Sequence, residues 1–318
     1  AVYFIDANLN FPIARPQVLA PWALTMALLS YYYNREKKSN SSQLKSILTI
    51  LFPVLVIVLM IFSSKITYTT YESLKGQMFL LRDFNSSKYS IAMNKIDNIT
   101  PDLPNITVTT IPMKSIKARY YFNAKKYDKA IELLNEGIPA NPYLFFSENL
   151  KAQIYLKQNK IDSAFINAKK AFYGLPKNAL HASTFAQTLA LKKDIIETKK
   201  AFGVLTEKSG QVIWKNFLIV LSQIVQGGEE DLVKYATQAA KFFPEDKELF
   251  SLKKLAVIGE ANINRANLIS KDGLNFFNKG LYTEAAIKFE NAALIDSLEY
   301  AHFENAASAY YMGGDYAK

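Results

Sequence analysis

The fold is decided by the stretch Tyr127-Asp128-Lys129-Ala130-Ile131-Glu132-Leu133-Leu134, which is followed by Asn141-Pro142. A similar stretch, Ile161-Asp162-Ser163-Ala164, is followed by Leu175-Pro176. The alanines of the two stretches are 34 residues apart, and so are the prolines. A pattern that returns at a fixed period indicates a stacked array of like units.

Thirty-four residues is the tetratricopeptide period, in which each unit is a pair of antiparallel helices. Close contact between the two helices requires small side chains at fixed positions. These positions hold Ala118, Ala130 and Gly137 in the first unit and Ala152, Ala164 and Ala171 in the second. One unit cannot bury its own apolar face, so that stacking has to supply the core. We therefore predict an all-α chain with a tetratricopeptide-repeat solenoid over residues 113–318.

The repeat weakens downstream and then returns. Units near 179–212 and 213–246 are degenerate, with Thr198 and Leu232 where alanine is usual. A clear unit returns at Tyr282-Thr283-Glu284-Ala285, but Ala285 lies 53 residues beyond Leu232. Because this spacing is not a multiple of the period, we expect residues 247–266 to form an irregular extra helix.

Two apolar segments precede the repeats. Val18 to Tyr33 and Ser46 to Phe62 carry no charged residue, and the second segment is 17 residues long. A transmembrane helix needs about 20 apolar residues, which both segments reach when flanking residues contribute. The alternative is a hydrophobic hairpin buried in a soluble protein, which we disfavour because the second segment has no polar face. The sequence therefore predicts two transmembrane helices.

The loop between these segments sets their orientation. It carries Arg35, Lys37, Lys38 and Lys45 against Glu36. Short loops rich in lysine and arginine stay in the cytoplasm. We therefore expect the hairpin to lie in a bacterial inner membrane, with residues 1–16 and the repeat domain in the periplasm.

The chain thus divides into four parts. Residues 1–16 are the periplasmic end of a truncated upstream membrane domain, 17–63 the transmembrane hairpin, 64–112 a connector and 113–318 a repeat domain truncated at its C-terminus. The connector contains Pro101, Pro104 and Pro112, so that we expect a loop-rich segment with one short helix near residues 87–97. Both ends look cut, because Ala1 is no initiator methionine and the last residues begin a helix.

The charge balance is basic. Lysine and arginine number 38 against 28 aspartates and glutamates, and there is no cysteine for a disulfide or a thiolate metal site. An excess of basic residues can indicate binding to nucleic acid or to an anionic membrane. Here the lysines occur as scattered pairs, which indicate a solvated face. The pairs are Lys169-Lys170, Lys192-Lys193, Lys199-Lys200 and Lys253-Lys254.

The sequence shows no complete active site. The two histidines, His181 and His302, are 121 residues apart, and we expect half-buried or surface positions without a catalytic role. Gly227-Gly228 and Gly313-Gly314 are expected in turns between helices, and Glu229-Glu230 at a helix start, where the helix dipole favours acids. We expect no metal and no cofactor, since ligand spacing is missing.

Arg15 is the one candidate binding residue. It follows Asp6-Ala7-Asn8-Leu9-Asn10-Phe11-Pro12-Ile13-Ala14 and lies just before the first apolar segment. An arginine at the outer membrane surface can hold a phosphate or diphosphate bidentately. The alternative, which we favour, is an anchor that reaches the lipid headgroups or pairs with Asp6.

This segment resembles the stretch before the last transmembrane helices in O-antigen ligase family proteins of the Bacteroidetes, where an acidic residue leads into an Asn-Phe-Pro-x-x-Arg-Pro-like run. Here the run reads Asp6, Asn10-Phe11-Pro12 and Arg15-Pro16. The repeats resemble the tail of the same proteins. The similar stretches are Lys117-Ala118-Arg119-Tyr120-Tyr121, Asn141-Pro142-Tyr143, Leu150-Lys151-Ala152-Gln153-Ile154-Tyr155-Leu156, Asp162-Ser163-Ala164 and Lys170-Ala171-Phe172.

The resemblance implies a membrane enzyme that moves a glycan from an undecaprenyl-diphosphate carrier to an acceptor at the periplasmic face, without metal. In that family the essential arginine and histidine lie in a periplasmic loop that no position of this chain matches. The resemblance therefore gives no catalytic residue here, and leaves Arg15 as a candidate diphosphate contact.

Our expectation from sequence is the end of an O-antigen ligase or polymerase-like protein in the lipid bilayer, whose repeats bind a protein partner or the acceptor. The rival is a membrane-anchored repeat scaffold without enzymatic activity. A third reading, a cytoplasmic nucleic-acid binder, would require the opposite topology and a basic groove rich in aromatic residues, and we do not expect nucleic acid as a partner.

Overall fold

The computed structural model describes residues 16–36 and 43–317, with the side chains of residues 23–33, 51 and 54–317. Within these ranges the regular structure is helical, and no β-strand occurs there. The first helices are α1 Pro16–Glu36, α2 Gln43–Asn85, α3 Met93–Asn98, α4 Met113–Asn123, α5 Tyr127–Gly137, α6 Phe146–Lys157, α7 Ile161–Gly174 and α8 Ala179–Lys192. They are followed by α9 Ile195–Phe202, α10 Gln211–Ile224, α11 Glu230–Phe242, α12 Lys247–Ile258, α13 Glu260–Asn278, α14 Tyr282–Ile295 and α15 Tyr300–Gly313.

The chain divides into two compact units, residues 1–69 and 70–318. In the first unit, helices α1 and α2 cover the two segments that the sequence predicts to cross a membrane. Among the described side chains, the helical segment Val54–Asn85 is long and apolar enough to cross a bilayer, and no part of its apolar window is buried. The second predicted span thus gains support, whereas two transmembrane helices stay a prediction.

The segment predicted as a loop-rich connector is largely helical at its start. Helix α2 is 43 residues long and continues through residues 64–85, after which α3 is short, as expected. The cause is a buried stripe in the second unit, made by Ser73, Gln77 and Leu80 at helical spacing. Leu80 packs with Ile116 and Tyr120 of α4, so that this region belongs to the core of the first repeat.

The repeats follow the predicted period. Helices α4 to α11 form four successive pairs, and the predicted small positions Ala118, Ala130, Ala152, Ala164 and Ala171 are fully buried. At Gly137, a Cβ atom would lie only 2.5 Å from the hydroxyl of Ser115, which explains the glycine. The second unit is therefore an array of tetratricopeptide-type helix pairs.

The buried cluster around Phe172, Phe185 and Phe217, which we call the main core, lies mostly in the degenerate units. Leu232 is buried although alanine is usual at its position, and it packs with the same cluster as Phe172, Phe185 and Phe217. The ring centroid of Phe172 lies 5.1 Å from that of Phe185 and 5.0 Å from that of Phe217. These three rings connect helices α7, α8 and α10, so that aromatic contacts join the second regular unit to the degenerate units.

The expected extra helix is α12, which ends at Ile258, earlier than the expected residue 266. Gly259, with φ of +81°, separates it from α13. Helices α13, α14 and α15 then form a second core around Phe289 and Tyr310. This terminal core shares no buried residue with the main core, and the two are joined by ion pairs from Lys254 of α12 to Asp296 and Glu299.

Candidate functional site

The first helices of the four pairs, α4, α6, α8 and α10, and the extra helix α12 contact one another in sequence and present one strip of side chains each. We call this strip the first-helix face. Its members are exposed or half-exposed and recur at helical spacing: Arg119, Gln153, Ser183, Gln187, Asn216, Ile219 and Ser251. The face thus combines a guanidinium, amides, hydroxyls and one apolar side chain.

Side-chain contacts hold neighbouring first helices in register. Arg119 of α4 donates from Nη1 to Oε1 of Gln153 on α6, at 2.7 Å. Lys215 of α10 forms ion pairs with Asp246 and Glu248, which precede and begin α12. A shallow groove between α10 and α12 is lined by Ile219 and Ser251 among others, so that the face continues to α12.

None of the lysines in the four pairs is buried, as expected for a solvated face, and Lys193 and Lys200 are exposed. At least one member of each pair also makes an ion pair with a neighbouring element, which was not expected. The bridges are Lys169 to Glu197, Lys170 to Glu148, Lys192 to Asp162, Lys199 to Glu229 and Asp231, and Lys254 to Asp296 and Glu299. The partners lie 22 to 45 residues away in sequence, so that local charge patterns could not reveal them.

The acid pair expected at a helix start is confirmed. The carboxylate of Glu229 caps α11 by accepting a hydrogen bond from the backbone N–H of Leu232 at 2.8 Å. The hydrogen bond from Lys199 holds the pKa of Glu229 below its usual range, and the cap adds to this effect. The expected turn at Gly227-Gly228 also lies where predicted, between α10 and α11.

Neither histidine is a surface residue. His181 and His302 are both buried, and burial lowers the pKa of each, so that both are neutral near pH 7. The Nδ1 atom of His181 lies 3.1 Å from the carbonyl oxygen of Ala171, a structural contact between helices. Within the residues that the structure describes, no cluster of histidine and carboxylate groups has the arrangement of a metal site.

The sequence-based candidate Arg15, with the whole segment from Asp6, lies outside the described residues. The polar groups that stand out in the structure instead are Arg119 with Gln153, and Lys254 with Asp296. Neither pair was predicted from the sequence. Arg119, Gln153 and Gln187 are spaced 34 residues apart, so that the repeat period itself could have brought them together.

No protein-family model matches the chain, and no curated protein matches it. Among solved structures, a tetratricopeptide repeat protein from Parabacteroides merdae is 10% identical, with a TM-score of 0.43 over 76% of this chain and 99% of that chain. A tetratricopeptide repeat protein from Thermus thermophilus is 16% identical, with a TM-score of 0.28 over 62% and 97%. The TPR2AB domain of yeast Sti1, solved with pHSP90, is 12% identical, with a TM-score of 0.27 over 77% and 99%. The assignment of the repeats rests on the 34-residue helix pairs themselves.

Proposed function

We propose that this chain is a membrane-anchored scaffold whose repeats bind a protein partner along the first-helix face. The observation that carries the proposal is the face itself, a continuous strip from α4 to α12 with exposed amides and apolar groups. Helical arrays of this kind use such extended surfaces for recognition. The exposed apolar stretch of α2 supplies the anchor.

Photo-crosslinking tests which surface of the array carries the partner. A photoreactive phenylalanine analogue placed at Gln187, on the first-helix face, is expected to form adducts with one discrete protein in living cells. The same analogue at Gln238, exposed on the second helix α11, is the matched control. Adducts from Gln238 alone, or equal adducts from both positions, would contradict the proposed binding face.

We further propose that the anchor lies in a bacterial inner membrane with the repeats in the periplasm, which rests on the basic loop around Arg35 and Lys38. Because the chain has no cysteine, a single introduced thiol reports its own location. In intact spheroplasts, a membrane-impermeant maleimide is expected to label Lys200→Cys. It should label Lys38→Cys only after permeabilisation. The reverse pattern would place the repeats in the cytoplasm.

A second candidate function is glycan assembly, as part of an O-antigen ligase or polymerase-like protein acting on an undecaprenyl-diphosphate-linked glycan. This candidate is supported by the sequence of residues 6–16, with Arg15 as the proposed diphosphate contact. The gene sequence upstream of Ala1 separates the two functions, because the enzyme would have about ten further hydrophobic spans and the scaffold none.

A further inference from the structure

Arg119 is held in one orientation on the first-helix face. Its guanidinium carbon lies 5.8 Å from the ring centroid of Tyr89 and 5.2 Å from that of Phe122. Its Nη1 atom donates to Gln153 on the next first helix. Contacts with aromatic rings and an amide fix a guanidinium without neutralising its charge.

The group retains most of its capacity to donate hydrogen bonds. A guanidinium has five N–H donors, and the bond to Gln153 uses one of them. Gln153 accepts this bond through Oε1, so that its own NH₂ group is left to donate beside Arg119. In the part of the chain that the structure describes, no carboxylate forms an ion pair with Arg119. The site thus offers positive charge and donors to a ligand.

Several partly buried lysines of the array have acidic partners. Lys199, Lys215 and Lys254 each contact two carboxylates. Arg119 differs from these three lysines because two aromatic rings and an amide orient it and leave its charge available. One period further on, Gln187 of α8 is exposed in the same register as Gln153. A segment lying across α4, α6 and α8 would therefore meet the arginine first and then two amides.

We propose that Arg119 binds the carboxylate of an aspartate or glutamate in an extended peptide segment of the partner that lies across α4, α6 and α8. An oriented guanidinium matches a planar carboxylate through two parallel hydrogen bonds. This inference rests on the proposed function and specifies the chemistry of its partner. The acidic residue of the peptide would bind on α4. The other helices of the first-helix face would contact the rest of the peptide without requiring a particular sequence.

A library of unmodified random peptides, displayed on phage and selected on the full chain in detergent, tests the inference. The selected peptides are expected to share an aspartate or glutamate at one position. For a selected peptide, Arg119→Gln should raise Kd about tenfold or more, because a charge-assisted hydrogen-bond pair is lost. Changing the peptide acid to its amide should cost the same factor and add little in the Arg119→Gln background.

Two variants separate binding from folding. Gln153→Glu places a carboxylate beside Arg119, and it should abolish the preference for acidic peptides while the thermal unfolding temperature stays equal or rises. Arg265→Gln removes an exposed arginine of α13 and should leave the peptide Kd unchanged. A loss of binding in Arg265→Gln equal to that in Arg119→Gln would show a nonspecific charge effect and overturn the inference.

The remaining outcomes are distinct. Peptides selected without a shared acid, or with one that is insensitive to Arg119→Gln, would overturn the role of Arg119 and leave the proposed function standing. If no peptide is enriched on the full chain, both the inference and the proposed binding function fail.

Discussion

Lys254→Met is expected to lower the free energy of unfolding of the repeat unit by about 3 to 5 kcal/mol, because it leaves a buried carboxylate without its counter-charge. The Nζ atom of Lys254 lies 2.8 Å from Oδ2 of Asp296, and the Asp296 side chain is 0% exposed. Among the described residues, no other donor reaches Oδ2 of Asp296, and none reaches its Oδ1 atom.

Denaturation in guanidinium chloride, followed by circular dichroism with the chain in a mild detergent, measures this loss. Lys200→Met removes an exposed lysine and should change stability by less than about 0.5 kcal/mol. The double variant Lys254→Met/Asp296→Leu should regain most of the lost stability, since neither charge is then buried. A double variant no more stable than Lys254→Met would show that packing, and not the uncompensated charge, causes the effect.

The same ion pairs give the junction a pH dependence. Lys254 holds the pKa of Glu299 below the ordinary value of 4.5. A carboxylate whose pKa is lowered by folding contributes stability above its ordinary pKa and loses it as the pH falls through the folded-state value. His302 adds to the loss in acid, because its burial lowers its pKa and protonation then favours the unfolded chain.

Phe172→Ala should cost about 3 to 5 kcal/mol, the range for emptying a large aromatic site in a packed core. Phe172 is 0% exposed and contacts rings from two further helices, α8 and α10. Because each repeat contacts its neighbours only, the loss should concentrate in this region. Amide hydrogen exchange in α7 to α10 should accelerate more than exchange in α14 and α15.

Phe303→Ala is the matched control for this change. Phe303 lies on α15 with 49% of its surface exposed, so that its truncation should cost less than about 0.5 kcal/mol. Equal destabilisation by the two substitutions, or uniform acceleration of exchange through all helices, would contradict a core localised around Phe172.

The sequence predicts the regular repeats well because their signals are local. Ala130 and Ala164 occupy positions where the partner helix leaves space for a methyl group alone, and this demand recurs with the period. Spacing also revealed the break before Ala285, where α12 interrupts the alternation of helices. These features depend on residues within one repeat or on the number of residues between equivalent positions of successive repeats.

The features that escaped prediction depend on contacts between distant residues. Ser73 and Gln77 are polar residues of a kind common in loops, yet both are buried. Burial of Gln77 is possible because its amide donates to the carbonyl oxygens of Thr100 and Pro104. This made α2 longer than expected. The partner of Lys254 lies beyond two complete helices, and the environment of Arg119 includes Tyr89, from before the first repeat.

The joint between the main and terminal cores has a mechanical consequence. When these ion pairs separate, they expose an ammonium and two carboxylates, which water solvates readily. Under tension the array should therefore yield first at this seam, with the helices on either side intact. Added salt would weaken the more exposed ion pair, that between Lys254 and Glu299, and the array would then bend more easily at this junction.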